Sequence, residues 1–419
     1  MEAPLDKYGE ELARCSRCGI CMSVCPTYRA TGDEAMAARG RLSMVEAFVD
    51  RGLGLTAGLD ERISTCAGCL ACESACPGGI GIHSAIMAMR QQLVSVRGSH
   101  RMARLFARQA LGGGEPGAAA RPLAGPGRFL LGGLMGGGNS SGNKRTRNSG
   151  ARSLPGLASR PLAAMLPEVS YASSASRRVA FFPGCAVNLI YPETGLAAVR
   201  ILTKAGVEVI TPRGLRCCGR PFRSLGEETA ARDMAEHNLR LLKALKVDNI
   251  VTACSSCALS LRKELPQLLG EDRTDVLELA ERVLDIHELL DQLVRENILP
   301  RSGEGNNRRV TWHDPCHLRW GLGVSREPRE IITNIPGVEY VESAAESGCC
   351  GGAGAFSIFH PGLSLKIGRP RADEIAASGA RIVATGCPGC QTQLSAIFAD
   401  ANLDVSVVHT VELLAGTAN

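Results

Sequence analysis

Eighteen cysteines fall into four ordered sets, and nothing else in the 419 residues constrains fold and chemistry as strongly. The first set reads Cys15-x2-Cys18-x2-Cys21-x3-Cys25-Pro26, and the second Cys66-x2-Cys69-x2-Cys72-x3-Cys76-Pro77. The third comprises Cys185, Cys217-Cys218-Gly219 and Cys254-x2-Cys257. The fourth comprises Cys316, Cys349-Cys350-Gly351 and Cys387-x2-Cys390. No cysteine falls outside these sets. Thiolates are the ligands that soft iron–sulfur clusters require, so the pattern reads first as a carrier of several such clusters.

Such a cysteine density also suits a disulfide-stapled secreted protein. The opening residues show no charged region followed by an apolar run, so no secretory signal is read there. No apolar run reaches the roughly 20 residues that span a bilayer. A reducing, cytoplasmic compartment is expected, with peripheral attachment at the inner membrane face as a variant. Aromatics make up 4% of the chain, with Trp312 and Trp320 the sole tryptophans. That scarcity argues against stacking platforms for nucleic acid.

The chain divides by composition. Residues 1–110 read as a helical domain. Arg39 to Val49 has helical spacing, and Ile82 to Leu105 carries Ile86, Met89 and Leu93 on one stripe. Residues 111–178 are rich in Gly and Arg and read as a basic linker, with short helices near 128–135 and 162–166. It is either a solvated tether or a surface for an anionic partner. Residues 179–300 and 307–419 read as two copies of one unit. Corresponding cysteines repeat at offsets of 131, 132 and 133 residues. Arg178 to Cys185 matches Arg309 to Cys316, and Asn249 to Cys254 matches Arg381 to Cys387, each a strand running into a cysteine turn. Alternating strands and helices imply an α/β unit with a parallel sheet. The fold class is therefore an α-helical ferredoxin domain followed by two duplicated α/β cysteine-rich domains.

In C-x2-C-x2-C, three thiolates can turn around one cube. In two-cluster ferredoxins the fourth cysteine, before proline, ligates the other cube. One 4Fe–4S cluster then takes Cys15, Cys18, Cys21 and Cys76, and the other takes Cys66, Cys69, Cys72 and Cys25. The two later sets hold five thiolates each, more than a regular cube or a structural zinc needs. A non-standard cluster, a standard one with a spare reactive thiolate, or four-thiolate zinc with one bystander fits that count.

Two ferredoxin runs followed by two Cys…Cys-Cys-Gly…Cys-x2-Cys units resemble the iron–sulfur subunit family of glycolate oxidase and D-lactate dehydrogenase. The cysteine-rich units also resemble those of heterodisulfide reductase and of the anaerobic glycerol-3-phosphate dehydrogenase iron–sulfur subunit. The residues from Cys25 to Glu34, Arg39-Gly-Arg41, and Cys76-Pro-Gly-Gly with His83 look most like the glycolate oxidase group. The resemblance implies an electron-transfer subunit of an oxidoreductase complex. Its partner would be a FAD-binding dehydrogenase subunit acting on glycolate or D-lactate, and its acceptor a quinone or another membrane-associated acceptor. It also implies non-cubane clusters held by Cys185, Cys217, Cys218, Cys254 and Cys257, and by Cys316, Cys349, Cys350, Cys387 and Cys390. Glycolate oxidase subunits often have incomplete cysteine units, whereas both are complete here. Thiol–disulfide chemistry of the heterodisulfide reductase kind therefore stands as the alternative.

His313 and His317 flank Cys316 and read as hydrogen-bonding partners of the thiolates in the fourth set, or as proton carriers. His287 and His409 precede Glu-Leu-Leu at the ends of the repeats, where capping or core packing is expected. Arg39 and Arg41 compensate cluster charge, face a partner, or lie on a solvated helix face. No phosphate-cradling or dinucleotide glycine motif is present, so neither flavin nor NAD is expected on this chain, and no nucleic-acid partner.

Overall fold

The computed structural model describes residue 5 and residues 8–52, 54–98, 156–173, 175–299, 308–343 and 348–416. Most of the expected linker, including the helix expected near 128–135, lies outside the described residues.

The N-terminal part is helical: α1 (Gly9–Ala13), α2 (Ile20–Ser23), α3 (Pro26–Thr31), α4 (Ala38–Arg51), α5 (Ala57–Ser64), α6 (Ala71–Ser74) and α7 (Ile82–Arg97). α2 and α6 are single turns inside the two cysteine runs. α3 starts at Pro26, where a missing N–H costs the helix nothing. The gap between the runs holds α4 and α5. Leu42, Val45, Ile63, Ile86, Met89 and Leu93 form the buried core between α4, α5 and α7. The expected stripe of α7 is therefore the one that packs. The stretch from 99 to 105, expected to continue this helix, lies outside the described residues.

Two sheets follow. The first contains β1 (Val169–Ser170), β2 (Arg177–Phe181), β3 (Val207–Ile210), β4 (Asn249–Thr252) and β5 (Val283–Asp285), in the order β1-β3-β2-β4-β5. Only β1 is antiparallel in it. The second contains β6 (Arg308–His313), β7 (Val338–Tyr340), β8 (Ile382–Thr385) and β9 (Ser406–His409), all parallel, in the order β7-β6-β8-β9. The order β3-β2-β4-β5 recurs as β7-β6-β8-β9, so the duplication read from the cysteines extends to the strands. Parallel neighbours need helical crossovers, and Pro192–Lys204, Glu228–Lys243 and Pro361–Ala377 are among them. The two units share one apolar core, which joins Val179, Phe181 and Ile286 to Trp312, Ile332 and Leu413.

Part of the stretch expected as linker is packed structure. Leu162 is fully buried against Gly195, where a Cβ would collide with its side chain. β1 then closes the edge of the first sheet.

The glycine of each Cys-Cys-Gly turn has a physical cause. Gly219 and Gly351 have φ of +87° and +78°, a region that costs L-residues about 1–2 kcal/mol. Crowding adds to this: a Cβ on Gly351 would overlap the Ser364 carbonyl, and one on Gly219 would lie 3.1 Å from the Ala231 carbonyl oxygen.

Candidate metal centres

The helical domain gathers its eight cysteines into two pockets. Cys15, Cys18, Cys21 and Cys76 line one, with Arg14, Arg17 and Arg39 at its rim. Cys25, Cys66, Cys69 and Cys72 line the other, with Arg41 and His83. Each run thus sends its fourth cysteine to the pocket of the other run. Burial and then Cys15, Cys76 and Cys18 push the Cys21 thiol up. Burial and then Cys69, Cys66 and Cys25 push Cys72 up further. The first pocket reaches the surface at the exposed Cys18; the second is more enclosed, and its Cys25 and Cys69 are buried.

Arg41 is not on a solvated face. It is 1% exposed, and its guanidinium donates to the Arg62 carbonyl at 2.6 Å, Thr27 Oγ1 at 3.1 Å and Thr65 Oγ1 at 3.2 Å. Arg39 stays at the surface, paired with Glu34 and donating to the Arg17 carbonyl at 3.3 Å.

The third set surrounds the end of β2. Cys217 Sγ lies 3.8 Å from Cys185 Sγ. Cys218 interacts with Cys217 and Cys257, and Cys257 with Cys254. In the fourth set Cys350 Sγ lies 3.2 Å from Cys390 Sγ. Cys316 interacts with Cys349, and Cys387 with Cys390. The Gly351 and Gly352 N–H groups donate to Cys349 Sγ at 3.3 Å and Cys350 Sγ at 3.4 Å. His313 joins this set, because its ligand nitrogen, Cys350 Sγ and Cys390 Sγ lie within 4.8 Å of one another.

The sets also approach each other. Cys254 of the third interacts with Cys387 of the fourth. Cys69 feels Cys349 more than any thiol of its own run, and Cys316 feels Cys69. Burial, then like charges, pushes Cys69 and Cys72 up. Hydrogen bonding with neighbouring thiols, then burial and like charges, pushes Cys217, Cys254, Cys257, Cys316, Cys350 and Cys390 up, whereas hydrogen bonds from neighbouring thiols hold Cys218, Cys349 and Cys387 down. A polycationic group in their midst reverses that penalty, as a bound metal deprotonates a coordinating thiol outright. The donor sets therefore fit iron–sulfur groups. Backbone N–H groups aimed at sulfur fit them equally.

Sequence reasoning missed the junction that joins the three parts. Arg220, directly after Cys217-Cys218-Gly219, pairs with the buried Glu264 and donates to the Gly68 carbonyl at 3.2 Å. It also meets His317 Nε2 at 2.9 Å. Burial, then Arg220, drops the His317 pKa to about 4. The same Nε2 lies 3.1 Å from the Gly68 carbonyl oxygen. Nδ1 lies 2.8 Å from Ser256 Oγ, and that hydroxyl lies 3.7 Å from Cys387 Sγ. His317 thus touches all three parts of the molecule. His313 is likewise held neutral, its pKa pushed down to about 4 by burial and by Arg371. Arg220 was recognisable only as a charge beside a cysteine turn, and nothing local marks Glu264. Arg90 adds a second tie: its guanidinium donates to the Ile63, Ser64 and Cys66 carbonyls of the helical domain and to the Ser224 carbonyl at 2.7 Å.

His409 does cap its helix, accepting from the Val411 N–H at Nδ1. His287 does not cap. It lies two residues past the capping position, which Asp285 fills, and it packs as a core residue between Asp285 Oδ1 at 2.6 Å and Thr410 Oγ1 at 3.0 Å.

The 4Fe-4S dicluster domain family matches residues 11–80, and the cysteine-rich domain family matches residues 179–262 and 310–395. The chain carries one dicluster domain and two cysteine-rich domains. It is 27% identical over 424 residues to a probable glycolate oxidase iron-sulfur subunit of Bacillus subtilis, covering 96% of this chain and 93% of that one. It is 26% identical over 427 residues to a subunit of the dihydromethanophenazine:CoB–CoM heterodisulfide reductase of Methanosarcina acetivorans, covering 97% and 93%. Over 238 residues it is 35% identical to a subunit of the CoM/CoB fumarate reductase of Methanothermobacter marburgensis, covering 57% of this chain but only 46% of that protein. The resemblance to glycolate oxidase iron–sulfur subunits therefore holds along nearly the whole chain, with cysteine-rich domains as in heterodisulfide reductase. These relatives are subunits of oxidoreductase complexes. Among the described residues no helix is long and apolar enough to cross a membrane.

Proposed function

We propose that this chain is the electron-transfer subunit of a flavin-dependent 2-hydroxy acid dehydrogenase. It would pass electrons from a FAD-binding partner that oxidises glycolate or D-lactate to a quinone or another acceptor. In this reading Cys15, Cys18, Cys21 and Cys76 hold one 4Fe–4S cluster, and Cys25, Cys66, Cys69 and Cys72 hold the second. The five cysteines from Cys185 to Cys257 and the five from Cys316 to Cys390 hold two further clusters. Bound, such groups accept and release single electrons.

The observation that carries the reading is the contact between thiol sets. The helical domain holds two such pockets, Cys69 of the second lies beside Cys316 and Cys349, and Cys387 lies beside Cys254. The chain's own residues exclude water from the later sets, aim N–H groups at sulfur, and keep His313 and His317 neutral. Cytoplasmic placement, at the inner face of the membrane where the acceptor is a quinone, belongs to the same reading.

Anaerobic iron and zinc analysis with EPR tests the cofactors. About sixteen iron atoms, eight from two cubes and eight from the later sets, support the reading. About eight with zinc make the later sets structural. Co-purification tests the role: native protein isolated with no flavoprotein overturns the assignment.

One observation favours a second reading. Two complete five-cysteine sets meet at Cys254 and Cys387, which suits two-electron thiol–disulfide chemistry as in heterodisulfide reductase. Disulfide reduction by this chain alone with reduced viologen, abolished in Cys349→Ala or Cys217→Ala, would establish it.

A further inference from the structure

His83 is the second residue of α7, and its backbone N–H donates to Glu73 Oε2 at 2.9 Å. Its ring is 6% exposed and lines the pocket of Cys25, Cys66, Cys69 and Cys72. Neither ring nitrogen has a hydrogen-bond partner. A buried polar group left without a partner costs about 1–3 kcal/mol, and such orphans in a folded protein call for an explanation.

Among the described residues the acceptor that approaches the ring is a carboxylate. Glu264 Oε1 lies 3.7 Å from Nε2, beyond hydrogen-bonding distance, and that oxygen is already held by Arg220 and approached by Arg223 at 3.5 Å. On its other side the ring abuts the cysteine loop. A Cβ on Gly68 would lie 3.4 Å from Cε1 and 3.9 Å from Nδ1. Gly68, with φ of +61° between Cys66 and Cys69, thus sets its backbone against the imidazole. Its own N–H donates to Cys66 Sγ at 3.4 Å, so donors already converge on sulfur from this loop. Burial, followed by Arg220 and Arg223, holds the ring well below the ordinary imidazole range and keeps it neutral. In any protonation state an imidazole carries at least one N–H, and among the described residues no acceptor lies within hydrogen-bonding distance of it.

We propose that the His83 ring N–H is a hydrogen-bond donor to a sulfur of the cluster held by Cys25, Cys66, Cys69 and Cys72, and that it raises that cluster's reduction potential. This rests on the reading of those cysteines as 4Fe–4S ligands. Reduction adds negative charge to the sulfurs, so a donor aimed at them stabilises the reduced state. The pocket of Cys15, Cys18, Cys21 and Cys76 is lined by arginines and no histidine. The proposal therefore separates two clusters with the same cysteine spacing.

The experiment is an EPR-monitored redox titration of the full chain with its clusters loaded anaerobically. It compares the natural protein with His83→Leu, which fills the space without a donor, and His83→Gln, which keeps an N–H. His83→Leu should move one cubane midpoint to a more negative value. His83→Gln should return it toward the natural value, and the other cubane should not move in either variant. A merely structural role for His83 predicts no selective shift and no rescue by Gln. Full iron content with unmoved potentials in His83→Leu overturns the proposal alone. Two missing cubanes in the natural protein overturn the ligand reading and the proposal with it. Should His83→Leu lose iron, natural protein labelled with 15N-histidine decides. Coupling of the label to the reduced cluster in pulsed EPR, lost in His83→Gln, upholds the proposal, and no coupling overturns it.

Discussion

The two cysteine-rich units share strand order, five thiols and a Cys-Cys-Gly turn, yet their surroundings differ position by position. Where the second unit has His313 and His317, the first has Phe182 and Ala186 at the same offset from the leading cysteine. Where the first has Arg220 and Ser256, the second has Gly352 and Gly389. Phe182 is fully buried in one cluster with Cys217, Cys218, Cys254 and Cys257, and the Ser260 hydroxyl and the Arg220 backbone reach Cys218. The second set has His313 within ligand range and Arg371 donating to that ring at 3.4 Å. Duplication kept the donor atoms and changed what surrounds them. Burial and hydrogen bonding to sulfur set cluster potentials, so identical ligand sets need not carry identical potentials. Both copies meet the ferredoxin pocket at Gly68, the first through Arg220 and the second through His317.

The comparison is broken most directly by deleting one thiol from each copy. Cys350→Ala and Cys217→Ala should each remove about four iron atoms, as counted by metal analysis. Each should erase one EPR signal and leave the other. Loss of both signals from either variant would show that the units do not assemble independently.

The helix caps differ next. Asp285 and His409 cap equivalent helices, but Asp285 also forms a fully buried pair with His287. Asp285→Ala should cost about 3–5 kcal/mol, because it strands a buried partner. His409→Ala should cost about 1 kcal/mol, the usual worth of a cap. Denaturant midpoints of the two variants measure the difference, and equal losses would contradict it.

The turn glycines sharpen the contrast further. Both Gly219→Ala and Gly351→Ala incur the left-handed penalty of about 1–2 kcal/mol. Only Gly351→Ala drives a methyl into a carbonyl, at Ser364, adding about 1–3 kcal/mol of overpacking. Thermal melting should rank Gly351→Ala below Gly219→Ala; the reverse order would refute the packing argument.

The smallest effect is the share of the pH dependence that His409 carries. Burial, then His287, drops the His409 pKa to about 3, against about 6.5 in an unfolded chain. The unfolded state therefore binds the proton first. Stability from this group is full above pH 6.5 and is lost as pH falls toward 3. Between pH 7 and pH 6 the loss is about 0.7 kcal/mol. His409→Asn, which keeps a capping acceptor, should flatten that slope relative to the natural protein. An unchanged slope would assign it to another group.

Much of this arrangement was legible in the chain. Cysteine spacing foretold the exchange of Cys25 and Cys76 between pockets, and the repeat offsets foretold two matching parallel sheets. Such features are local or periodic, so they show in sequence. The junction of Gly68, Arg220, Glu264 and His317 did not show. Its members come from three parts of the chain, and only folding makes them neighbours. The choice between the readings of Arg41 was closed for the same reason: its carbonyl and hydroxyl acceptors lie on α3 and at the end of α5, and helical periodicity alone cannot place them. Leu162 was hidden by the low-complexity stretch before it, which masked one buried anchor behind glycine and arginine.

The Gly68 carbonyl has a consequence for how the protein is made. Its two covering side chains, Arg220 and His317, stand 152 and 249 residues later in the chain. During synthesis the second cysteine run leaves the ribosome well before either cover exists. The nascent chain passes through a stage in which that pocket is open on the side later sealed by both cysteine-rich units. Loading by a cluster donor has an early window with free access and a late one that requires the junction to part. Pausing or truncation between residues 98 and 220 would hold the chain in the early window, with thiols ready and their cover not yet built.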